Sequence, residues 1–165
     1  MRKPWPSCAW SKNMQTDYEI WSDGSCHNPG PGTTCTHIYQ SGRLLKEITT
    51  FDPTTTNNRM EIIAVLLGLK WCPDQSRIRF YCDNDYVVCG FNDWMHKWVK
   101  IDMFGEQRWK NKKNLDLWQS MLFEHKRLKA KGIWVKAHIG IPNNEKCDLR
   151  ASELLESFTG QAPRY

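Results

Sequence analysis

The spacing of apolar and polar residues along this 165-residue chain changes character several times, and each change marks an element. The run Tyr18-Glu19-Ile20-Trp21-Ser22 leans apolar and β-forming, which predicts a strand over 18–23. Asn28-Pro29-Gly30-Pro31-Gly32 is dense turn chemistry. Two further strand-like runs, 33–40 and 43–51, flank a Ser41-Gly42 turn, and so short a turn between β-rich runs predicts antiparallel hairpins. The period then lengthens. Asn57 and Asn58 open a helix that runs to about Trp71 and stops at Pro73. Its apolar residues Met60, Ile62, Ile63, Ala64, Val65, Leu66, Leu67 and Leu69 cover more than one stripe, which predicts burial on several sides.

Residues 77–82 read as a strand and 84–101 as a broken helix. Asn114 begins another helix, with Leu115, Trp118 and Leu122 on one face. A short strand is expected over 132–137. From about Asn144 a last helix aligns Cys147, Ala151, Leu154, Leu155 and Phe158 on one apolar face. Three strands followed by alternating helix and strand predict a mixed-sheet α/β domain. The length suits a single core, with 1–16 as a polar N-terminal extension, 17–160 as the domain and 161–165 as a short tail.

Composition adds little to this picture: 40% apolar and 25% charged residues are ordinary for a globular protein. No apolar run reaches membrane-spanning length and no secretory-type apolar block stands at the N-terminus, so a cytoplasmic location without a membrane partner is expected. Seven cysteines, an odd number, contain no Cys-x-x-Cys pair, which argues against a disulfide framework or a zinc ribbon. Cys35-x-His37 and Cys26-His27 are too sparse for a tetrahedral metal site without further partners, and reduced thiols are expected.

The net charge of +5 permits nucleic-acid binding, and its distribution is more informative. Between 94 and 113, Trp94, Trp98, Phe104 and Trp109 alternate with Lys97, Lys100, Arg108, Lys110, Lys112 and Lys113. Such a segment suits phosphates and bases. It equally suits an amphipathic helix whose tryptophans reach the core.

Four carboxylates stand at positions where the expected elements would hold them rigidly. Asp23 and Asp83 end strand-like runs, Glu61 lies in the first turn of an apolar helix, and Asp148 follows the Asn143-Asn144 pair. Each has a structural alternative. Glu61 could complete a capping box with Asn58, Asp83 could cap the next helix, Asp148 could favour a helix N-terminus, and Asp23 could stabilise a turn. Together they would surround one sheet, and converging carboxylates repel one another unless hard cations such as Mg2+ neutralise them.

The ordered set Ser22-Asp23-Gly24-Ser25-Cys26, Asn28-Pro29-Gly30-Pro31-Gly32, Thr56-Asn57-Asn58-Arg59-Met60-Glu61, Asp83 with Tyr86-Val87, Leu117-Trp118-Gln119, and Trp134-Val135-Lys136-Ala137-His138 to Cys147-Asp148 resembles type 1 ribonuclease H. The resemblance runs from about Tyr18 to Phe158. It implies the ribonuclease H-like fold, a five-stranded mixed sheet flanked by helices, and cleavage of the RNA strand of RNA–DNA hybrids to 5′-phosphate and 3′-hydroxyl ends. It assigns Asp23, Glu61, Asp83 and Asp148 to the metal-ligating carboxylates, for two Mg2+ ions with Mn2+ as a substitute. His138 matches the mobile-loop histidine. Cys26, Asn28, Asn57 and Asn58 match contacts to the hybrid's backbone and minor groove, and Thr56 a residue that seats a DNA phosphate. Trp94, Trp98 and Lys100 align with the basic protrusion that grips the DNA strand, and a monomer is expected.

Rival readings are a transposase or resolvase core of the same superfamily, a hybrid-binding module without chemistry, and an α/β domain with capping acids. The chain departs from the family pattern at Val99, Ile101, Asp102 and Met103, at Asp85, and at Ala137 before the histidine. These departures predict weak hybrid binding that falls steeply with salt.

Overall fold

A computed structural model describes residues 16–102 and 112–161, without the side chains of 99–102. Phe104, Arg108, Trp109, Lys110, the Lys100 side chain, the extension before Thr16 and the tail after Gln161 lie outside the described residues.

Five strands form one mixed sheet in the order β3-β2-β1-β4-β5. They are β1 (Tyr18–Cys26), β2 (Gly30–Gln40), β3 (Arg43–Thr55), β4 (Arg77–Cys82) and β5 (Lys129–Trp134). The first three pair antiparallel, as the hairpin turns predict, and β4 joins β1 and β5 in parallel. The helices are α1 (Asn57–Trp71), α2 (Asp85–Cys89), α3 (Met95–Asp102), α4 (Leu115–Arg127) and α5 (Pro142–Thr159), with a π-helical turn over Gly90–Trp94 between α2 and α3.

Period-two alternation in β1 divides the core between two faces. Ile20 points to the α1 side, where it joins Ile38, Ile62, Val65, Leu69, Phe80 and Trp118. Trp21 points to the α5 side with Cys35, Tyr39, Cys147 and Ala151, and stacks on Tyr81 at 4.2 Å. Covered on both faces, β1 is buried from Ile20 to Cys26, polar residues included. The sheet also buries most of α1, as its broad apolar coverage predicts.

The broken helical pattern over 84–101 has a steric origin. A Cβ at Gly90 would lie 2.1 Å from Cη2 of Trp118, so α4 packs directly on the backbone where the helix changes to π geometry.

Several expected boundaries and caps are corrected. The last strand is Lys129–Trp134 rather than 132–137, because it is an edge strand whose bounds follow pairing with β4, from Arg77↔Lys129 to Cys82↔Trp134. Lys129 and Lys131 carry no apolar signal that would reveal it. α5 begins at Pro142 and not at Asn144. Phe158 is exposed and stacks on Phe51 of β3 at 4.5 Å, instead of joining the main core.

None of the four carboxylates serves as a cap. The N-cap of α1 is Thr56, without a side-chain cap bond, and Asn84 rather than Asp83 caps α2 through Tyr86 N. Asp23 lies within β1, opposite Cys35, and not in a turn. Asp148 lies beyond the first turn of α5.

Candidate active site

The parallel pair β1 and β4 carries Asp23 and Asp83 toward the same end of the sheet, Asp83 directly following Cys82. Helix α1 brings Glu61 over this end because Gly24 lets the two backbones touch. A Cβ at Gly24 would fall 2.7 Å from the backbone N of Glu61. On the opposite face, α5 supplies Asp148.

The result is a cleft of about 200 Å3 lined by Asp23, Glu61, Asp83, Asp148, His138 and Asn57, with Gly24, Ser25, Cys26 and Ala137 completing its wall. A cleft of about 250 Å3 near Tyr18 and Tyr39 is larger but lacks buried carboxylates.

Asp23 and Glu61 are buried at 5% and 4% exposure. Burial, followed by the charges of Glu61, Asp83 and Asp148, pushes the Asp23 carboxyl well above the ordinary carboxylate range. Burial also raises Glu61, with Asp83 as the next cause, against a hydrogen bond from Gly24 N–H and a contact from Cys82 Sγ at 3.8 Å. Ligand atoms of Glu61, Cys82 and Asp83 lie within 4.8 Å of one another. Carboxylates concentrated in this way, with a donor set dominated by hard oxygen, fit a divalent cation of the Mg2+ or Mn2+ type.

His138 sits in the loop between β5 and α5 at φ 55°, followed by Gly140 at φ 84°. Its Nδ1 lies 3.5 Å from Asp148 Oδ2, with most of the ring exposed. Histidine tolerates this left-handed backbone better than β-branched residues do.

Beside the cleft, amide side chains join the neighbouring elements. Asn28 Oδ1 accepts from the backbone N–H of Asn57 at 3.2 Å, so the loop after β1 caps α1. Asn58 Oδ1 accepts from Asn84 Nδ2 at 3.1 Å. α1 opens at Asn57, as expected, and neither Asn57 nor Asn58 is its N-cap. Thr56 stands at the start of the same ridge.

Trp94 and Trp98 are placed away from the cleft. Trp94 packs near Tyr86 at 5.9 Å, and Trp98 lies edge-on to Trp118 at 5.8 Å with Lys112 Nζ 5.2 Å from its ring. Of the two readings open for this segment, core packing accounts for the position of Trp98.

Sequence reasoning missed Asn144, which is 2% exposed and donates from Nδ2 to Asp83 Oδ2 at 3.1 Å. Its one signal was its place four residues before Asp148, one helical turn away. It links α5 to the carboxylate at the end of β4.

Residues 15–156 match the family described as RNase H. A ribonuclease H from Syntrophotalea carbinolica is 38% identical over 143 residues, covering 83% of this chain and 90% of that relative. A ribonuclease HI from Campylobacter jejuni is 39% identical over 136 residues, covering 82% and 88%. The chain belongs to the ribonuclease H family.

The fold agrees with this membership. A crystal structure described as a type 1 RNase H with the type 2 active-site motif superposes with a TM-score of 0.74 at 23% identity, covering 93% of this chain and 77% of the other. The N-terminal RNase H domain of rv2228c from Mycobacterium tuberculosis, solved as a fusion, gives 0.64 at 20% identity, covering 87% and 96%. Ribonucleases H are divalent-metal dependent as a family, in keeping with the acidic cleft. Among the described residues no helix is long and apolar enough to cross a membrane.

Proposed function

We propose that this ribonuclease H family member is an endoribonuclease that hydrolyses the RNA strand of RNA–DNA hybrids, leaving 5′-phosphate and 3′-hydroxyl ends. The observation that carries the reading is the meeting of Asp23, Glu61, Asp83 and Asp148 with His138 in one cleft. Two Mg2+ ions, with Mn2+ as a substitute, would neutralise the carboxylates, lower the pKa of the attacking water and stabilise the leaving oxyanion.

Asp23, which feels the charges of Glu61, Asp83 and Asp148, would hold the metal together with them. Glu61 and Asp83 would serve the leaving-group side, and Asp148 with His138 the nucleophile side. Exposed and 3.5 Å from Asp148, His138 is placed to take or deliver a proton at the cleft mouth. Asn144 orients the Asp83 carboxylate through its amide.

The ridge of Cys26, Asn28, Thr56, Asn57 and Asn58 is assigned to the hybrid, where amides donate and accept without adding negative charge. Trp94, Trp98 and Lys100 are assigned to the DNA strand side. There Trp98 acts by holding α3 against α4, and Lys97 is already engaged with Asp93 at 2.5 Å. The catalytic unit is proposed as 17–160, acting as a monomer. A cytoplasmic location is supported by the described cysteines, which form no disulfide.

The test is cleavage of hybrid, duplex DNA, duplex RNA and single strands, with Mg2+ and with chelator. Metal-dependent cutting of the hybrid alone is expected. Cutting of duplex DNA would favour a transposase or resolvase core, and hybrid binding without cutting would favour a non-catalytic module.

Two further outcomes are expected from the same assays. His138→Ala should lower kcat by about 10²-fold, the low end for a positioned acid–base group, with an unchanged Mg2+ concentration dependence. A parallel loss of Mg2+ response would make His138 a positioning residue for Asp148 instead. Hybrid affinity should fall steeply between low and moderate salt, by roughly 0.7–0.9 log units per log unit of salt for each phosphate neutralised. A flat response would remove backbone charge as the main source of binding.

A further inference from the structure

On the α5 face of the sheet, behind the catalytic cleft, a second group of ligand-type side chains comes together. Cys35 and His37 lie two residues apart on β2 and so share a face. α5 lays Cys147 against them, and ligand atoms of all three lie within 4.8 Å of one another. All three residues are buried, at 0%, 5% and 0% exposure. Cys35 Sγ is 3.4 Å from His37 Nε2. In a tetrahedral site with zinc bonds of about 2.3 Å to sulfur and about 2.0–2.1 Å to nitrogen, neighbouring ligand atoms stand roughly 3.5–3.8 Å apart.

A carboxylate borders this three-residue group through a hydrogen bond to His37. Glu47, the cross-strand neighbour of His37 on β3, places Oε2 2.8 Å from His37 Nε2. Its other oxygen accepts from Arg150 Nε at 3.2 Å. Glu47 is also the most exposed member of the group, which gives an ion a route in.

We propose that Cys35, His37 and Cys147 form a structural site for a thiophilic divalent cation of the zinc class, which Glu47 would complete by turning from its hydrogen bond with His37 onto the ion. Both thiols would release their protons to solvent on binding. Two thiolates and one carboxylate against one divalent ion leave a single negative charge, which Arg150 offsets. The complete burial of Cys35 excludes a nucleophilic role toward a macromolecule, and Cys35 and Glu47 both address the same ring nitrogen, so they do not form a relay through the imidazole. The bound ion would clamp β2 to α5. Cys35 pairs with Asp23, and Cys147 adjoins Asp148, so the clamp would hold two catalytic carboxylates from behind.

The test uses the full chain, reduced and stripped of metal, with excess Mg2+ present and Co2+ as the spectroscopic probe. One equivalent of Co2+ should produce thiolate-to-cobalt charge-transfer absorption and the intense visible bands of tetrahedral coordination. One equivalent of Zn2+ should abolish them and raise Tm. Cys35→Ser and His37→Gln should each lose the charge-transfer band or weaken cobalt binding by at least about tenfold, the lower bound for altering a metal site.

Absence of the band in the wild-type chain would overturn the site without any variant. Its full persistence in both variants would move the ligand to another thiol, with Cys82 beside Glu61 the first alternative, and would also overturn it. A Cys35–Cys147 disulfide in chain isolated under reducing conditions would do the same. Because the readout is a spectrum and a melting temperature, its failure is separable from a failure of hybrid cleavage.

Discussion

Asp23→Asn is expected to abolish hybrid cleavage, lowering kcat by at least about 10³-fold, while hybrid binding and the fold survive. The substitution keeps shape and removes one charge from a position 5% exposed among three other acids. Losing several kcal/mol of metal-dependent stabilisation corresponds to about that factor in rate. Single-turnover cleavage and hybrid titration measure the two quantities separately, and wild-type turnover in the variant would remove Asp23 from the mechanism.

The same variant should melt at a higher temperature than the wild type in chelator, because a neutral amide relieves repulsion that burial intensifies. The pH dependence has a definite sign. Folding raises the carboxyls of Asp23 and Glu61, so the folded chain holds their protons more tightly than the unfolded one. Their contribution to stability is therefore full below the unfolded pKa, about 4, and is lost as pH rises through the raised folded values. Metal-free wild-type chain should lose stability over that rise, and Asp23→Asn should lose less. Added Mg2+ should narrow the difference between them.

Arg127→Ala is expected to destabilise the chain by about 3–5 kcal/mol, the range for stripping one partner from a buried ion pair. Arg127 closes α4 and turns its guanidinium onto the end of α1. It donates through Nη1 to Cys72 O at 2.7 Å and to Asp74 Oδ1 at 2.8 Å, and through Nη2 to Leu69 O at 2.8 Å. Its Nε reaches Glu124 Oε2 at 2.9 Å. Glu124 is only 4% exposed, so without Arg127 its carboxylate would be buried without its partner, and Cys72 O would lose the donor Arg127 supplies. Denaturant midpoints of Arg127→Ala, Glu124→Ala and the double variant would isolate the coupling. A loss under about 1 kcal/mol would place the pair with exposed salt bridges instead. Arg127→Lys should recover only part of the loss, since an ammonium cannot span acceptors spread around a planar fork.

The element order and the four carboxylates were legible because both depend on short stretches of chain. The apolar-leaning run around Ile20 and Trp21, the Ser41-Gly42 turn and the all-round apolar coverage of 60–69 are local patterns with direct physical readings. β5 was placed three residues too late because an edge strand takes its bounds from its neighbour. The tryptophans of the protrusion could not be divided between substrate and core, since their spacing serves either use. Asn144 was read as a helix opener because its partner Asp83 is 61 residues distant.

By itself, the sequence determined the alternation of strand and helix, the positions of the turns and the order of the four acids along the chain. The first two follow from backbone preference and hydrophobic period over a few neighbouring residues. Only the tertiary structure decided that Asn28 would cap α1, that Arg127 would close two helices, and that Cys147 would meet Cys35 and His37. Such contacts depend on the Asp23↔Cys35 register and on the face against which α5 packs. Strand register and helix docking minimise the free energy of the whole core, and no short window of sequence contains that sum.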